Sequence, residues 1–537
     1  MTVPHHFPSL VEGPAQAVII VGAGLSCPDL PIVNGLVGRL EEVANSLGVT
    51  TIVAQGDDEY FYALAEAVLN AQGDTGENRL RLAENLGLLD DRRWFGEIGM
   101  PLSGNTPRHR AIARFAVEKR LRSIISLNWD ALLETALESI GLANGPKVSR
   151  PWDVTAHASV VDDTHLPALS GAHVFPVIKP HGCVRDLEKA RRNLHLNGIV
   201  PNIIFKLAQS ELRGLPNGQR SVDKKVEIYV SECPLISVGW RALEKYLRDT
   251  VISAANPARR VETDAITVVD IAWDTNHDKI SAAYGKSKVD SFAEVKPNVP
   301  PTTDCMFQWL QARYALSRLM AVAPATYQAA LQQQLQQLDQ PGCDHYILNW
   351  VDKWLPAWVR LCWRAGVMGG IDPQTNRRIE PWEIPVMPRD VHVPLGGLSL
   401  ERRDLQAAVK LLFILNDDLN RFNFDMFPGG FWDGRNRYLY IPLPGWRGTT
   451  QSSSLVALQP LIEAMQGLGF VKKIYLVWLD VEDTPPDETL RIQLKAQLLR
   501  LMPLINFAEK DAVEWANLQD MKGGLKCKHG LSVVKTG

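Results

Sequence analysis

Five short runs of apolar, largely β-branched residues recur through the first 295 residues of the chain. They read AVIIVG (17–22), RSIISLN (122–128), VFPVIKPHG (174–182), LISVGW (235–240) and AITVVDIAW (265–273). Such runs are typical of strands buried on both faces of a parallel sheet. Amphipathic segments such as TPRHRAIARFAVEKRL lie between them. This alternation predicts an α/β fold, a doubly wound parallel sheet that binds ligands at the carboxyl ends of its strands.

The chain changes character after a proline-rich segment at 294–304. A stretch rich in Leu, Gln and Trp then predicts helices, and a second proline-rich segment leads into a C-terminal α/β region. There KKIYLVWLDV (472–481) predicts a strand. At 537 residues the chain is too long for one ordinary core. We therefore predict three parts: a first domain over 1–295, a helical segment over 305–370 and a C-terminal α/β region over 385–537.

Charge and cysteine content narrow the classes of function. The formal net charge of −3 gives no overall basic field, so charge does not suggest binding to duplex DNA. The seven cysteines include no C-x-x-C pair, which argues against a structural zinc and for a reducing compartment. Neither a secretory signal nor an apolar run of membrane-spanning length is present. We expect a cytoplasmic protein with no metal and no membrane contact.

The first predicted strand runs directly into the small residues Gly22, Ala23 and Gly24, with Ser26 close behind. Glycines here allow a tight turn and let a phosphate approach backbone N–H groups, and a serine hydroxyl adds a donor. The alternative is a strand-to-helix turn that needs small residues and binds nothing. The sequence lacks the complete G-x-G-x-x-G of a dehydrogenase, because position 27 is Cys.

Polar residues also follow the other predicted strands. Asn128 and Asp130 lie on the turn after the second, where catalytic groups of α/β sheets are found, although Asp130 could simply cap a helix. His181 ends another strand and could share a proton with a sugar hydroxyl, although a lone histidine is more often structural. Gly239 permits close approach of a ligand, and Asp270 could accept hydrogen bonds from a ribose or cap a turn.

These segments, in this order, resemble the SIR2 (sirtuin) family over roughly 17–274. GAGLS is similar to the family's Gly-Ala-Gly-Ile-Ser, SLNWD to its Thr-Gln-Asn-x-Asp, and KPHG to its Leu-His-Gly. TPRHRAIARF resembles its helix bearing Pro and His, and VGWRALE stands where the family has a later Gly-Thr-Ser or Gly-Tyr-Ser loop. The resemblance implies a Rossmann-like domain that binds NAD and cleaves the nicotinamide–ribose bond.

The resemblance also implies a role for each site residue. Asn128 would contact the nicotinamide ribose and place the attacking water, and His181 would be the base or the ribose partner. Asp130 would lie near the nicotinamide. The pyrophosphate would be held by Gly22, Ala23, Gly24 and Ser26. The adenosine half of NAD would contact Gly239 and Asp270.

Departures from the family pattern indicate which branch of the family the chain resembles. The paired C-x-x-C motifs of the protein deacylases are absent, and CPDLPIVNGL after Ser26 lacks the family's Phe-Arg. The chain therefore looks like the prokaryotic SIR2-like NADases of antiviral defence, with NAD+ as substrate. We expect a homo-oligomer whose C-terminal region senses a trigger such as a partner protein or nucleic acid. The alternatives are a deacylase or ADP-ribosyltransferase, and a non-catalytic module that binds NAD or ADP-ribose.

Overall fold

The protein is described here by a computed structural model. The residues it describes are 16–27, 29–55, 59–96, 107–140, 156–160, 174–197, 221–240, 242, 248, 251, 254–255, 266–269, 278, 289–291, 303–322, 325–340, 424–427, 430–433, 437–443, 470–478, 506–507 and 513–517. The chain divides into two compact units, the first over 1–314 and 338–348 and the second over 315–337 and 349–537. The predicted limits of the three domains stay a prediction.

The first unit contains a seven-stranded sheet in which every neighbouring pair is parallel. Its strands are β1 (Ala17–Val21), β2 (Leu121–Ser126), β3 (Ala156–Val160), β4 (Val174–Ile178), β5 (Leu235–Val238), β6 (Ile266–Val269) and β7 (Val289–Ser291). They lie in the order β3-β4-β2-β1-β5-β6-β7. The next strand along the chain, β2, lies on one side of β1, and β5 lies on the other side. β1 and β5 therefore flank the switch point where such sheets bind ligands.

Seven helices of the described residues belong with this sheet. They are α1 (Val37–Ser46), α2 (Tyr60–Gln72), α3 (Gly76–Asn85), α4 (Pro107–Val117), α5 (Leu132–Ser139), α6 (Val184–Asn197) and α7 (Ser221–Glu232), with 3₁₀ turns at Ala23–Leu25, Val33–Leu36 and Arg92–Phe95. All five residues of β1 are fully buried, which explains its unbroken apolar sequence. Val18 and Ile20 of this strand share a core cluster with Val226 and Val230 of α7.

Two further helices follow the sheet, α8 (Thr303–Val322) and α9 (Ala325–Leu338), within the segment predicted to be helical. The second unit contains a five-stranded sheet in the order β14-β12-β10-β9-β8. Its strands are β8 (Phe424–Phe427), β9 (Gly430–Asp433), β10 (Tyr438–Leu443), β12 (Lys473–Trp478) and β14 (Val513–Asn517), and the short strands β11 (Phe470–Val471) and β13 (Asn506–Phe507) pair separately. The pairs β10–β12 and β12–β14 are parallel.

The fold class predicted from sequence is confirmed: an N-terminal Rossmann-like parallel sheet is followed by helices and a C-terminal α/β region. Each of the five apolar runs forms a strand, and so does KKIYLVWLDV. The sequence did not predict β3 and β7, because AHASV contains a single β-branched residue and VDS is three residues long. No helix in the described part of the chain is long and apolar enough to span a membrane.

Candidate active site at the carboxyl edge of the sheet

The loops after β1 and β5 meet through their backbones at the switch point. The N–H of Gly22 donates to the Val238 carbonyl at 2.9 Å, and the N–H of Gly24 donates to the Gly239 carbonyl at 3.1 Å. In turn, the N–H of Gly239 donates to the Val269 carbonyl at 2.9 Å. The ends of three neighbouring strands are thereby joined in one layer of main chain.

This contact requires glycine on both sides. A Cβ on Gly22 would lie 2.5 Å from the Gly239 oxygen, and one on Gly24 would lie 2.7 Å from the Gly239 Cα. Gly239 itself has φ +60°, and a Cβ there would lie 2.6 Å from the Gly24 Cα. Close backbone packing therefore accounts for glycine at these positions, in line with the alternative of a turn that needs small residues and binds nothing. The N–H groups of Gly22 and Gly24 also already have acceptors. Their binding of pyrophosphate stays a prediction, as does that of Ala23, which begins the 3₁₀ turn.

Ser26, Asn128 and Asp130 form one buried chain of hydrogen bonds. The Asn128 Nδ2 donates to the Ser26 Oγ at 3.1 Å, and the Ser26 hydroxyl donates to Asp130 Oδ2 at 2.7 Å. The other carboxylate oxygen, Asp130 Oδ1, accepts the N–H of Leu132 at 3.1 Å, and Asp130 lies one residue before Ala131, the N-cap of α5. Residues that lie 104 positions apart in sequence thus meet at the ends of β1 and β2.

The direction of this chain fixes the amide of Asn128. Because its nitrogen donates to Ser26, its oxygen is left for another donor, and Asn128 makes no other hydrogen bond within the described residues. The side chain keeps a small exposed fraction, 8% for the residue. Burial raises the pKa of Asp130, although the charge of Lys179 and the bond from Ser26 act in the opposite direction. The site therefore presents an oriented amide oxygen at the edge of the sheet.

His181 and Asn128 lie at the carboxyl ends of two neighbouring strands because of the register of the sheet. Ile125 of β2 pairs with Ile178 of β4, and Asn128 and His181 each follow three residues later. The Val184 N–H donates to the carbonyl of Trp129 at 2.8 Å, which joins the two turns directly. His181 is buried, with 4% of its surface exposed. The structure thus brings Ser26, Asn128, Asp130 and His181 to adjacent strand ends on one edge.

Sequence reasoning missed a buried charge network beneath these turns. The Lys179 ammonium lies 2.9 Å from the Glu134 carboxylate, contacts the Cys183 sulfur at 3.4 Å and donates to the carbonyl of Asp130. Burial acts to lower the pKa of Lys179, but Cys183, Glu134 and Asp130 outweigh it and the pKa is raised. Burial also acts to raise the pKa of Glu134, yet Lys179 outweighs it and the pKa is lowered.

Burial raises the pKa of the Cys183 thiol to about 12, so this thiol is neutral near pH 7. The lysine and the glutamate therefore form the charged pair of the network. The sequence contained one indication that Lys179 is buried, since Lys179 follows a wholly apolar strand and precedes Pro180. Glu134 and Asp130 are 45 and 49 residues away along the chain, and only the fold brings them to Lys179.

Arg108 is a second residue that the sequence analysis did not select. It lies in the first turn of α4, with its side chain 3% exposed. Its guanidinium donates to the carbonyls of Leu25 and Cys27, the latter at 3.0 Å, and to the Asp29 carboxylate at 2.8 Å. Arg108 therefore holds the loop that carries Ser26 through these contacts with its main chain and with Asp29.

Two predictions of the sequence analysis concern groups beyond this constellation. Asp270 lies outside the described residues, so its predicted contact with the adenosine half of NAD stays a prediction.

Among the residues that the structure describes, no three His, Cys, Asp or Glu side chains are grouped to hold a metal ion. The polar groups of the site suit hydrogen bonding to a sugar. They are the Asn128 amide, the Ser26 hydroxyl, the Asp130 carboxylate and the His181 imidazole.

Comparison with known proteins gives distant structural likenesses. No model of a protein family matches the chain, and no curated protein matches it. A structure concerned with the mechanism and regulation of Sir2 enzymes is 12% identical, with a TM-score of 0.31, and the match covers 58% of this chain and 96% of that one. A Sir2 complex with a p53 peptide and NAD+ is 12% identical, with a TM-score of 0.25 and coverage of 52% and 94%.

A Sir2 complex with a deacetylated p53 peptide and 3′-O-acetyl ADP-ribose is 14% identical, again with a TM-score of 0.25 and coverage of 52% and 94%. Likenesses at this identity and TM-score do not place the chain in a family. The function of the chain is therefore inferred from the residues of the site.

Proposed function

We propose that this protein is an NAD+ glycohydrolase that cleaves NAD+ to nicotinamide and ADP-ribose. The observation that carries the proposal is the buried hydrogen-bonded chain Asn128–Ser26–Asp130, with His181 on the adjacent strand end. This constellation lies at the carboxyl edge of a parallel sheet, beside the switch point where such sheets bind nucleotides. The motif resemblance to SIR2 proteins, described from the sequence, agrees with this chemistry.

The reaction needs little from the protein beyond positioning. Nicotinamide leaves from a cationic ribosyl-pyridinium as a neutral molecule, so no acid is needed to protonate it. The bond breaks through an oxocarbenium-like state, as in glycoside cleavage. The enzyme must orient a water against the anomeric carbon and stabilise the positive charge that develops on the ribose.

Asn128 fits the task of orienting the water or a ribose hydroxyl. Its amide is held by Ser26, so its oxygen accepts a hydrogen bond without first reorganising. Asp130, as the acceptor at the end of the chain, sets the direction of the Ser26 hydroxyl. His181 is the proposed base or ribose partner, since imidazole can accept a proton near neutral pH.

The proposal extends to how the activity is controlled. An unregulated NADase would deplete the NAD+ of its own cell, so we propose that the region after residue 300 holds the activity in check. The motif resemblance supports a role as an antiphage effector that assembles into an oligomer and responds to a trigger. Infection of cells that express the chain, with NAD+ measured over time, tests this part.

The central experiment is NAD+ consumption by the purified full chain, with chromatography of the products. We expect nicotinamide and ADP-ribose in equal amounts from the unmodified protein. Asn128→Ala and His181→Ala should each lower kcat by on the order of 10²-fold or more, because each removes a group that orients or accepts a proton.

Asn45→Ala is the matched control, since Asn45 is an exposed asparagine of α1. This variant should consume NAD+ at the rate of the unmodified protein. The assay is repeated at high protein concentration and in infected cells. Product that forms only with an acylated peptide would favour the deacylase alternative. Binding of NAD+ without turnover in every condition would favour the non-catalytic module.

A further inference from the structure

Lys179 is a fully buried lysine next to the candidate site, in the turn after β4. It follows the last residue of β4, and none of its surface is exposed. Its ammonium is 2.9 Å from Glu134 Oε1, contacts the Cys183 sulfur at 3.4 Å and donates to the main-chain carbonyl of Asp130. A buried lysine of this kind needs a reason, because taking a charge out of water costs several kcal/mol.

Stability alone does not supply that reason. A buried ion pair rarely stabilises a fold more than apolar side chains of the same volume would. Glu134, its partner, is also almost fully buried, with 2% of its side chain exposed. The pair is better explained by the geometry that it imposes on its neighbours.

The contacts of Lys179 join the two turns that carry the candidate catalytic groups. The carbonyl of Asp130 belongs to the turn after β2, which also carries Asn128, and Glu134 lies in α5 just beyond it. Lys179 itself belongs to the turn after β4, two residues before His181. One side chain thus connects Asn128 and Asp130 to the segment of His181.

We propose that Lys179 is a positioning residue: its contacts with Asp130 and Glu134 hold the turns after β2 and β4 in the geometry that aligns Asn128 with His181. The inference rests on the proposed function for its kinetic consequence. It predicts that losing Lys179 lowers turnover and leaves substrate binding nearly unchanged, since Lys179 itself is not exposed to substrate.

The test replaces both partners of the pair, Lys179→Met with Glu134→Leu, in the full chain. Removing lysine alone would leave the buried Glu134 carboxylate without its ammonium partner, whereas the double variant removes both charges and should keep its melting temperature close to that of the unmodified protein. Arg185→Met with Glu138→Leu is the matched control. That ion pair, 2.6 Å, joins α5 to α6, is partly exposed and lies one helical turn further along α5.

Two readouts are taken on each protein: steady-state kinetics with NAD+, and the crystal structure of the site. We expect kcat of the double variant to fall on the order of 10²-fold, with KM within about threefold, because small displacements of reacting groups cost that much. We also expect Asn128 and His181 to be displaced relative to one another in the crystal structure of the double variant. The control variant should keep their relative positions and its turnover.

A folded double variant in which Asn128 and His181 keep their relative positions overturns the inference, whatever its activity. Equal loss of turnover in the control also overturns it, since the effect would then come from loosening α5 against α6. If the unmodified chain consumes no NAD+, the proposed function fails, and the crystal structures alone decide the role of Lys179. If the double variant does not fold, Lys179→Met is measured instead at a temperature where circular dichroism shows it folded.

Discussion

At the scale of single residues, Asp130 is the group whose charge controls the direction of the site's hydrogen bonds. As a carboxylate it accepts from Ser26, and this forces Asn128 to present its oxygen outward. Burial raises the pKa of Asp130, so the folded protein binds this proton more readily than the unfolded chain does. The ionised form therefore costs stability, and the site is kept in a less stable state for its chemistry.

Asp130→Asn tests this trade between stability and activity. The sign follows from linkage: a raised folded-state pKa gives a contribution to stability that is full below the unfolded-state pKa and is lost as the pH rises through the folded-state value. The variant should therefore match the unmodified protein in melting temperature near pH 3.5 and exceed it at pH 8. Its kcat should fall on the order of 10²-fold, because an amide can donate to Ser26 and reverse the chain.

Thermal unfolding monitored by circular dichroism across this pH range is the measurement. Asp90→Asn is the control, since Asp90 is exposed, with the Arg191 guanidinium 3.8 Å from its carboxylate. The control should not exceed the unmodified protein in melting temperature at pH 8, because an exposed carboxylate is not desolvated. A lower melting temperature for Asp130→Asn at pH 8 would mean that the carboxylate is needed for folding and does not oppose it.

At the scale of elements, the loop after β1 is held from two sides. The backbone of Gly239 packs against Gly22 and Gly24, and the Arg108 guanidinium holds the carbonyls of Leu25 and Cys27. Ser26 lies between these supports, so the position of its hydroxyl depends on both. The loop is therefore a fixed part of the site, determined by the start of α4 as much as by its own sequence.

Arg108→Met should loosen this loop. The change leaves buried carbonyls without a donor, which we expect to lower the free energy of unfolding by roughly 2 kcal/mol or more. It should also raise KM for NAD+ several-fold, since the loop is the proposed pyrophosphate contact. Hydrogen exchange of peptides over 22–30 and denaturant unfolding measure the two effects.

Asp29→Asn separates the ion pair from the main-chain contacts. The Asp29 side chain is 35% exposed, and its loss should cost less than about 1 kcal/mol, because partly exposed ion pairs contribute little. Hydrogen exchange in the loop should then stay as in the unmodified protein. Equal protection of the loop in Arg108→Met would show that Gly239 alone holds it.

At the scale of the whole molecule, the first compact unit extends past the parallel sheet into α8. Tyr314 donates its hydroxyl to Glu118 at 2.8 Å, Arg114 donates to Gln311 at 2.9 Å, and the Tyr314 ring packs edge-on to Phe115 at 6.0 Å between centroids. These contacts are buried and connect α4 and the residues after it to a helix almost 200 positions away. The start of α8 is thus part of the core that supports the site.

Tyr314→Phe should lower the free energy of unfolding of this unit by about 1–3 kcal/mol. The variant keeps the ring and removes one hydrogen-bond donor from the buried Glu118 carboxylate. Tyr60→Phe is the control, because the Tyr60 hydroxyl donates to Glu41 at 2.9 Å in a less buried place. Denaturant unfolding should show a smaller change, below about 1 kcal/mol, for the control. Equal changes would mean that α8 does not stabilise the unit.

The amino-acid sequence by itself determined the class of fold and the edge of the sheet that carries polar groups. Unbroken β-branched runs are stable only where both faces of a strand are buried, so β1, β2, β4, β5 and β6 are readable from local pattern. Because parallel strands share one carboxyl edge, Ser26, Asn128 and His181 could be assigned to one site from their positions after these strands.

Only the tertiary structure decided how those groups interact and what supports them. The hydrogen bonds that join Ser26 to Asn128 and Asp130 depend on which strands are neighbours, which the strand order fixes and local pattern does not. The burial of Lys179 and Arg108 likewise depends on partners 45 or more residues away along the chain. A charged side chain looks like a surface residue in sequence, since its desolvation is compensated only by groups that folding brings to it.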